Sequence, residues 1–165
     1  IIHNPISNQK LGSGIANIKK IRDAGINVAL GTDGQGSGNN LNMFYHMSYA
    51  NLLQKGLYKE PTITNSYEIL KMATINGAKA LGLDEIIGSI EVGKKADIII
   101  INLNDTNTYP TLNVITDLVH NTNINNVDTT IINGEVLMEN GNLTLDIDLK
   151  SLKEKLKSII SSKMC

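Results

Sequence analysis

The sequence predicts an α/β fold, and three observations carry that expectation. Over residues 1–30 an apolar opening segment, a helix-spaced segment and a second apolar run follow one another with short connections, the order of a parallel sheet covered by helices. Beyond residue 96 the character changes to branched apolar runs punctuated by two Asn-Gly pairs, which predict antiparallel strands joined by tight turns. With 165 residues, 41% of them hydrophobic and 19% charged, the chain can bury an ordinary core and lacks the composition of a disordered one.

In chain order, residues 1–3 read as the tail of a strand, and Pro5, Ser7 and Asn8 as the loop that follows. Ile15, Ile18, Ile21 and Ala24 recur at helical spacing, and Gly25 stands where a left-handed helix stop is expected. Residues 26–30 predict a strand, 31–40 a loop rich in Gly and Asn, and Leu41 begins a helix with Met43, Met47, Ala50 and Leu53 on one face. Asn65 and Glu68 have the spacing of a capping box, opening a helix that continues to about Leu81. The run 97–101 predicts a strand, buried on both faces if central. Residues 127–132 and 135–138 flank Asn133-Gly134 as a hairpin, and Asn140-Gly141 marks another turn. Leu149, Leu152, Leu156, Ile159 and Ile160 form an apolar stripe with lysines on other faces, predicting a terminal helix docked on something apolar rather than on a membrane.

Composition excludes several classes of function. Fifteen basic against sixteen acidic residues leave a net charge of −1, with no basic stripe for nucleic acid. No apolar run approaches the roughly 18 residues of a membrane span. The single Cys165 forbids an internal disulfide or thiolate cluster in this chain. A cytoplasmic, reducing setting is expected. The opening Ile1-Ile2-His3 reads as an interior strand, so a longer protein is expected to supply further segments.

The segment "VALGTDG" (28–34) raises a chemical question, since an apolar strand ends in a carboxylate between glycines. From the local pattern alone Asp33 is a turn or N-cap carboxylate, or else a functional group displayed at a strand end. Gly31 and Gly34 would let the backbone turn sharply and approach closely there.

Four motifs settle the direction of that question: "HNPISN" (3–8), "GTDG" (31–34) with "LNMF" behind it, "ATINGAKALGL" (73–83) and "GSIEVGKKADIIII" (88–101). In this order and spacing the chain resembles the C-terminal part of the amidohydrolase superfamily, and within it methylthioadenosine/S-adenosylhomocysteine deaminases and their chlorohydrolase relatives. The resemblance covers nearly the whole chain. It implies the last two strands and helices of a (β/α)8 TIM-type barrel over residues 1–83, the C-terminal strands of a small composite β-sandwich domain over 84–146, and a docking helix over 147–165.

By that resemblance Asp33 binds one catalytic divalent metal, zinc with iron as the alternative, and takes a proton from the attacking water. Barrel sites form at strand C-terminal ends, where Asp33 falls. His3, Ser7, Asn8 and Ser37 are expected to contact substrate or to support Asp33; for His3 a satisfied histidine at a strand end, bonded to backbone or to a group that supports the site, for Ser7 and Asn8 a loop-closing role, and for Ser37 a helix cap are the bland readings. The chain has only His3, His46 and His120, none in a His-x-His pair, so the other ligands and the general acid are expected in the missing N-terminal part of the same protein. His46 and Ser48 replace an acidic residue and an arginine, a change read as loss of a helix-surface ion pair. Gln35 and Gly36 replace a small apolar pair, altering the pocket rim. The implied activity is hydrolytic deamination of an adenosine-like small molecule with release of ammonia. A guanine- or cytosine-type deaminase, a triazine-type chlorohydrolase and a non-catalytic interaction fragment are the alternatives, and unpaired sheet edges leave homo-oligomers open.

Overall fold

The computed structural model describes residues 1–163, so Cys165 lies outside the described residues. In chain order the elements are β1 (Ile2–His3), α1 (Pro5–Lys10), α2 (Ile18–Asp23), β2 (Ala29–Leu30), α3 (Gln35–Gly38), α4 (Met43–Tyr58), α5 (Ser66–Met72), α6 (Ile75–Leu81), β3 (Ile98–Ile101), α7 (Val114–His120), β4 (Val127–Ile132), β5 (Glu135–Glu139), β6 (Asn142–Leu143) and α8 (Leu149–Lys163). The α/β expectation holds: β1 and β2 pair in parallel, whereas β3-β4-β5-β6 form an antiparallel sheet in that order. No helix of the described residues is long and apolar enough to cross a membrane.

The core lies between β2 and the helices. Val28 and Leu30 pack with Ile18 of α2, Phe44, Met47 and Ala50 of α4, Ile69 and Met72 of α5, and Val119 of α7. Each large apolar side chain buried in this way contributes about 1.5–3 kcal/mol. Polar ties fix the layers. Glu68 closes the capping box with Asn65 and also pairs with Arg22 at 2.6 Å, joining α2 to α5. Asn76 of α6 donates to the Val28 carbonyl at 2.9 Å and accepts through its own carbonyl from Asn27, so that α6 grips β2 at two points.

The motif 88–101 has structural duties. A Cβ on Gly88 would stand 2.7 Å from the Ala78 Cβ, and φ there is +93°, so only glycine lets this loop cross α6. Lys94 donates to the Asp84 carbonyl and to Ser89, tying the loop to itself. Asp97 accepts from the Asn133 amide at 2.7 Å, holding the β4–β5 turn against the start of β3. Asn133-Gly134 and Asn140-Gly141 take positive φ at every position, as expected of tight hairpin turns.

Several sequence expectations are corrected. Residues 5–10 form α1 instead of a loop, because Pro5 at the first helical turn has its φ preset and has no amide to leave unsatisfied. The helix expected over 15–24 is confined to Ile18–Asp23, started by the Asn17 side chain accepting from the Lys20 amide. Residues 35–38 of the expected loop make the short α3. The helix expected to run on to Leu81 breaks between Met72 and Ile75, where Thr74 takes φ −129° and ψ −103°. Among the described residues the run of isoleucines lies at one end of the antiparallel sheet, and Ile99 and Ile100 are exposed. The α8 stripe is also exposed; the helix stands apart from the core, started by Asp148 accepting from the Lys150 and Ser151 amides.

Of the two glycines flanking Thr32 and Asp33 only Gly31 is sterically required. A Cβ there would meet Asn4 Oδ1 at 2.3 Å and the Ile2 side chain at 2.8 Å, while Gly34 faces open space with an ordinary φ of −73°. Gly31→Ala is therefore expected to destabilise the intact protein by about 1–3 kcal/mol, and Gly34→Ala by less than about 0.5 kcal/mol. Paired thermal melts check this: equal Tm values for the two variants would remove the close approach of β1 to β2 as a constraint.

Candidate functional site

The register Ile2↔Ala29 and His3↔Leu30 decides what reaches the site. Paired residues share a face and successive residues alternate, so His3 lies on the helix-covered face with Leu30, while Ile2, Ala29 and Gly31 lie on the other. Past Leu30 the chain leaves the core. Asp33 is exposed and has a left-handed backbone, with φ +57°, a conformation costing a non-glycine residue about 1–2 kcal/mol.

The carboxylate is held by specific donors. The buried Ser7 hydroxyl donates to Oδ2 at 2.6 Å and the Gly34 amide to Oδ1 at 2.7 Å. The Ser7 bond and then the Gly34 amide hold the carboxyl below its ordinary range, so Asp33 is an anion at neutral pH. Each oxygen has accepted one protein bond and keeps further lone-pair capacity toward solvent. Ser37 Oγ donates to the Gly34 carbonyl at 3.1 Å, steadying the turn beside the carboxylate. Asn8 works through its backbone, donating to the Asn4 carbonyl at 3.0 Å and accepting from Ser13 at 2.8 Å.

The structure thus joins Asp33 with Ser7 and puts Ser37 in the same turn, but sends His3 elsewhere. His3 is 3% exposed, and among the described residues neither ring nitrogen has a hydrogen-bond partner, contrary to the satisfied histidine expected. Burial lowers its pKa from 6.5 to about 4 and keeps the imidazole neutral. Lys10 and Asn4 escaped the sequence reading: Lys10 Nζ donates to the Gly36 carbonyl at 3.0 Å and to Asn39 Oδ1, and Asn4 Oδ1 occupies the space opposite Gly31. The signal for Lys10 was its place three residues after Ser7, visible only once 5–10 is known to be helical.

His46 and Ser48 are not a helix-surface pair. His46 is fully buried with Nε2 bonded to the Asn40 carbonyl at 3.0 Å, because its side of α4 faces the protein. Ser48 faces His120, whose Nε2 lies 3.1 Å from Asn51 Nδ2. Thr64 donates to Asn51 Oδ1 at 2.6 Å, which turns the Asn51 amide group toward His120 and makes Nε2 the acceptor. A cavity of about 330 Å³ lined by Asn40, Tyr45, Ser48 and His120 opens beside this network. An apolar groove of about 620 Å³ lies between α4, α6 and β3.

An exposed, anionic carboxylate with free lone pairs fits a divalent cation as one ligand of several. Among the described residues no three His, Cys, Asp or Glu side chains gather to hold a metal ion.

Comparison with known proteins gives a concordant picture. A model described as "Amidohydrolase family" matches residues 1–137. A 5-methylthioadenosine/S-adenosylhomocysteine deaminase of Acetivibrio thermocellus is 48% identical over 159 residues, covering 96% of this chain and 37% of that protein. The crystal structure of an adenosine deaminase from Xanthomonas campestris with bound zinc superposes with a TM-score of 0.90 at 34% identity, over 95% of this chain and 36% of that one. The zinc complex of atrazine chlorohydrolase from Arthrobacter aurescens gives a TM-score of 0.86 at 29% identity, over 97% and 35% of the two chains. The chain therefore spans little more than a third of the length of the proteins it matches.

The buried neutral His3 makes a pH prediction. Its folded pKa is below the unfolded value, so the unfolded chain binds the proton more readily, and stability is full above pH 6.5 and declines as pH falls toward about 4. At about 1.4 kcal/mol per pH unit this amounts to up to about 3 kcal/mol. His3→Met, which loses no hydrogen bond, should flatten the decline; urea melts of the intact protein at pH 7, 5.5 and 4 compare the two. Parallel declines would place the acid sensitivity in other groups.

Proposed function

The chain belongs to the amidohydrolase family, and from that premise we propose that it carries the Asp33 corner of a hydrolytic deaminase acting on an adenosine-like substrate such as methylthioadenosine or S-adenosylhomocysteine. In this reading β1 and β2 are the last two strands of a (β/α)8 barrel within residues 1–83, residues 84–146 complete a small β domain, and α8 (Leu149–Lys163) packs on the rest of the intact protein. The remaining metal ligands and the general acid are supplied by chain outside these 165 residues. Carrying the proposal is one observation: a carboxylate at the C-terminal end of a strand, exposed, anionic and oriented by Ser7 and Gly34.

A bound divalent ion, zinc by the likeness to the zinc-bound adenosine deaminase, would supply acidity, lowering the pKa of a water to about 7. Asp33 would be the ligand from this chain. Its low pKa suits that task, since the side chain stays charged whenever the protein is folded at neutral pH. Asp33 would take a proton from the attacking water as oxygen adds to the ring carbon and the general acid outside this chain protonates the ring nitrogen, and would give that proton to the amino nitrogen as the carbon–nitrogen bond breaks and ammonia leaves. Ser37, in the same turn, and Ser7 and Asn8, from α1, shape the wall beside the carboxylate. His3 has no reacting role in this scheme.

The deaminase reading is favoured over a chlorohydrolase by the relatives: the 48% identical protein is named a deaminase, against 29% identity for the chlorohydrolase.

Two outcomes are expected in the intact protein. Asp33→Asn should leave Tm within a few degrees and lower kcat at least about 100-fold, the low end for positioned acid–base catalysis, with reduced zinc content; normal turnover in a zinc-replete sample would remove Asp33 from the chemistry. An ammonia-release screen should give a higher kcat/KM for methylthioadenosine or S-adenosylhomocysteine than for guanine or cytosine. Preference for a free base would redirect the assignment to a base deaminase.

A further inference from the structure

Helix α1 presents Ser7 and Lys10, one turn apart and so on the same side, to the two ends of the loop that carries Asp33. At the near end Ser7 Oγ donates to Asp33 Oδ2 at 2.6 Å. At the far end Lys10 Nζ donates to the Gly36 carbonyl at 3.0 Å and to Asn39 Oδ1. Between these anchors the loop makes only the single turn of α3, and it is bounded by two non-glycine residues in the left-handed region, Asp33 at φ +57° and Asn39 at φ +59°. Such residues keep that conformation only when their surroundings hold them. Within the loop the local restraints are bonds to near neighbours, Ser37 to the Gly34 carbonyl and Gly34 to Asp33. Over residues 33–39 the side-chain bonds that fix the loop to the rest of the protein come from α1, and His46 of α4 bonds only the Asn40 carbonyl just beyond.

We propose that α1 is a clamp for the reacting carboxylate: Ser7 sets the rotation of the Asp33 side chain, leaving its other lone pairs aimed at solvent, and Lys10 fixes the far end of the loop so that Asp33 cannot retreat. Ser7 and Lys10 are thus positioning residues for the activity proposed above, and the inference rests on that reading of Asp33. Neither needs to touch substrate. A carboxylate oxygen that already accepts the Ser7 bond presents fewer orientations to an incoming cation or water, which makes the bound geometry reproducible from turnover to turnover.

The test uses Ser7→Ala, Ser7→Thr, Lys10→Met and Lys10→Arg in the intact protein, with Asp33→Asn as reference. Each is measured for kcat, KM, Tm and zinc affinity by competition with a chelator. Ser7→Ala is expected to lower kcat and weaken zinc binding each by about 10–100-fold, the usual range for a group supporting a metal ligand. KM should stay within about twofold, and Ser7→Thr should restore most of both losses. Lys10→Met is expected to lower kcat about 5–10-fold and Lys10→Arg to recover it; Lys10 is exposed, so its variants fold even if the buried Ser7 site does not tolerate change. If Asp33→Asn abolishes turnover while Ser7→Ala and Lys10→Met keep kcat and zinc affinity within twofold, the clamp is overturned and the role of Asp33 stands. If Asp33→Asn itself turns over normally, the underlying reading has failed instead. Losses of Tm in the Ser7 and Lys10 variants with unchanged kcat per folded molecule also overturn the clamp, leaving α1 a purely structural turn.

Discussion

The parallel pairing of β1 with β2 is the constraint from which the site follows. Only two residue pairs are in register, Ile2↔Ala29 and His3↔Leu30, yet they place the chain leaving β1 beside the chain leaving β2. Because Gly31 has no side chain, Asn4 can fill the space opposite it, and α1 then starts within reach of Asp33. The same register puts Leu30 into the helix-covered core and sends Gly31 to the opposite face. Slipping it by one residue would exchange those faces and turn the Asp33 side chain away from Ser7.

So short a pairing needs support from other layers. Burial of Val28 and Leu30 against α4 and α5 supplies the apolar part, and Asn76 supplies the polar part by bonding the Val28 carbonyl. Farther from the site, Thr64, Asn51 and His120 form a directional chain across α4 and α7. A buried network of this kind is satisfied in only one arrangement of the two helices, so it contributes more to uniqueness than to net stability. Burial first, and the Lys55 charge second, lower the His120 pKa and favour the neutral ring that this arrangement requires.

What could be read in the sequence was chemistry completed within a few residues. Asn65 with Glu68, and the two Asn-Gly turns, need no distant partner and took the expected form. Asp33 was legible as a carboxylate ending an apolar strand, although its left-handed backbone was not. Features set by neighbours far along the chain were hidden. Asn4, Pro5 and Ser7 have loop-forming chemistry, and only packing against the Asp33 loop reveals 5–10 as a helix with a working face. Four consecutive isoleucines read the same in a central and an edge strand, and sheet order alone decides between them. The fate of His3 and His46 likewise depended on which face of the strand or helix was covered.

The motifs also separate into two kinds of duty. Gly88, Lys94 and Asp97 brace the loop, α6 and the hairpin turn, and their chemistry is spent on the fold. Asp33 and Glu91 are both exposed motif carboxylates held below their ordinary range, but Glu91 is tied to Ser89 and Lys94 within its own loop, whereas Asp33 stands past the C-terminal end of a strand. That asymmetry is the core of the account, and a crystal structure of the intact protein grown with zinc tests it most directly through anomalous scattering at the zinc edge. The account predicts an anomalous peak bonded to an Asp33 carboxylate oxygen, with Ser7 Oγ still in contact with Oδ2. A fully occupied zinc peak held by other residues, with the Asp33 oxygens engaged only by Ser7 and Gly34, would contradict it.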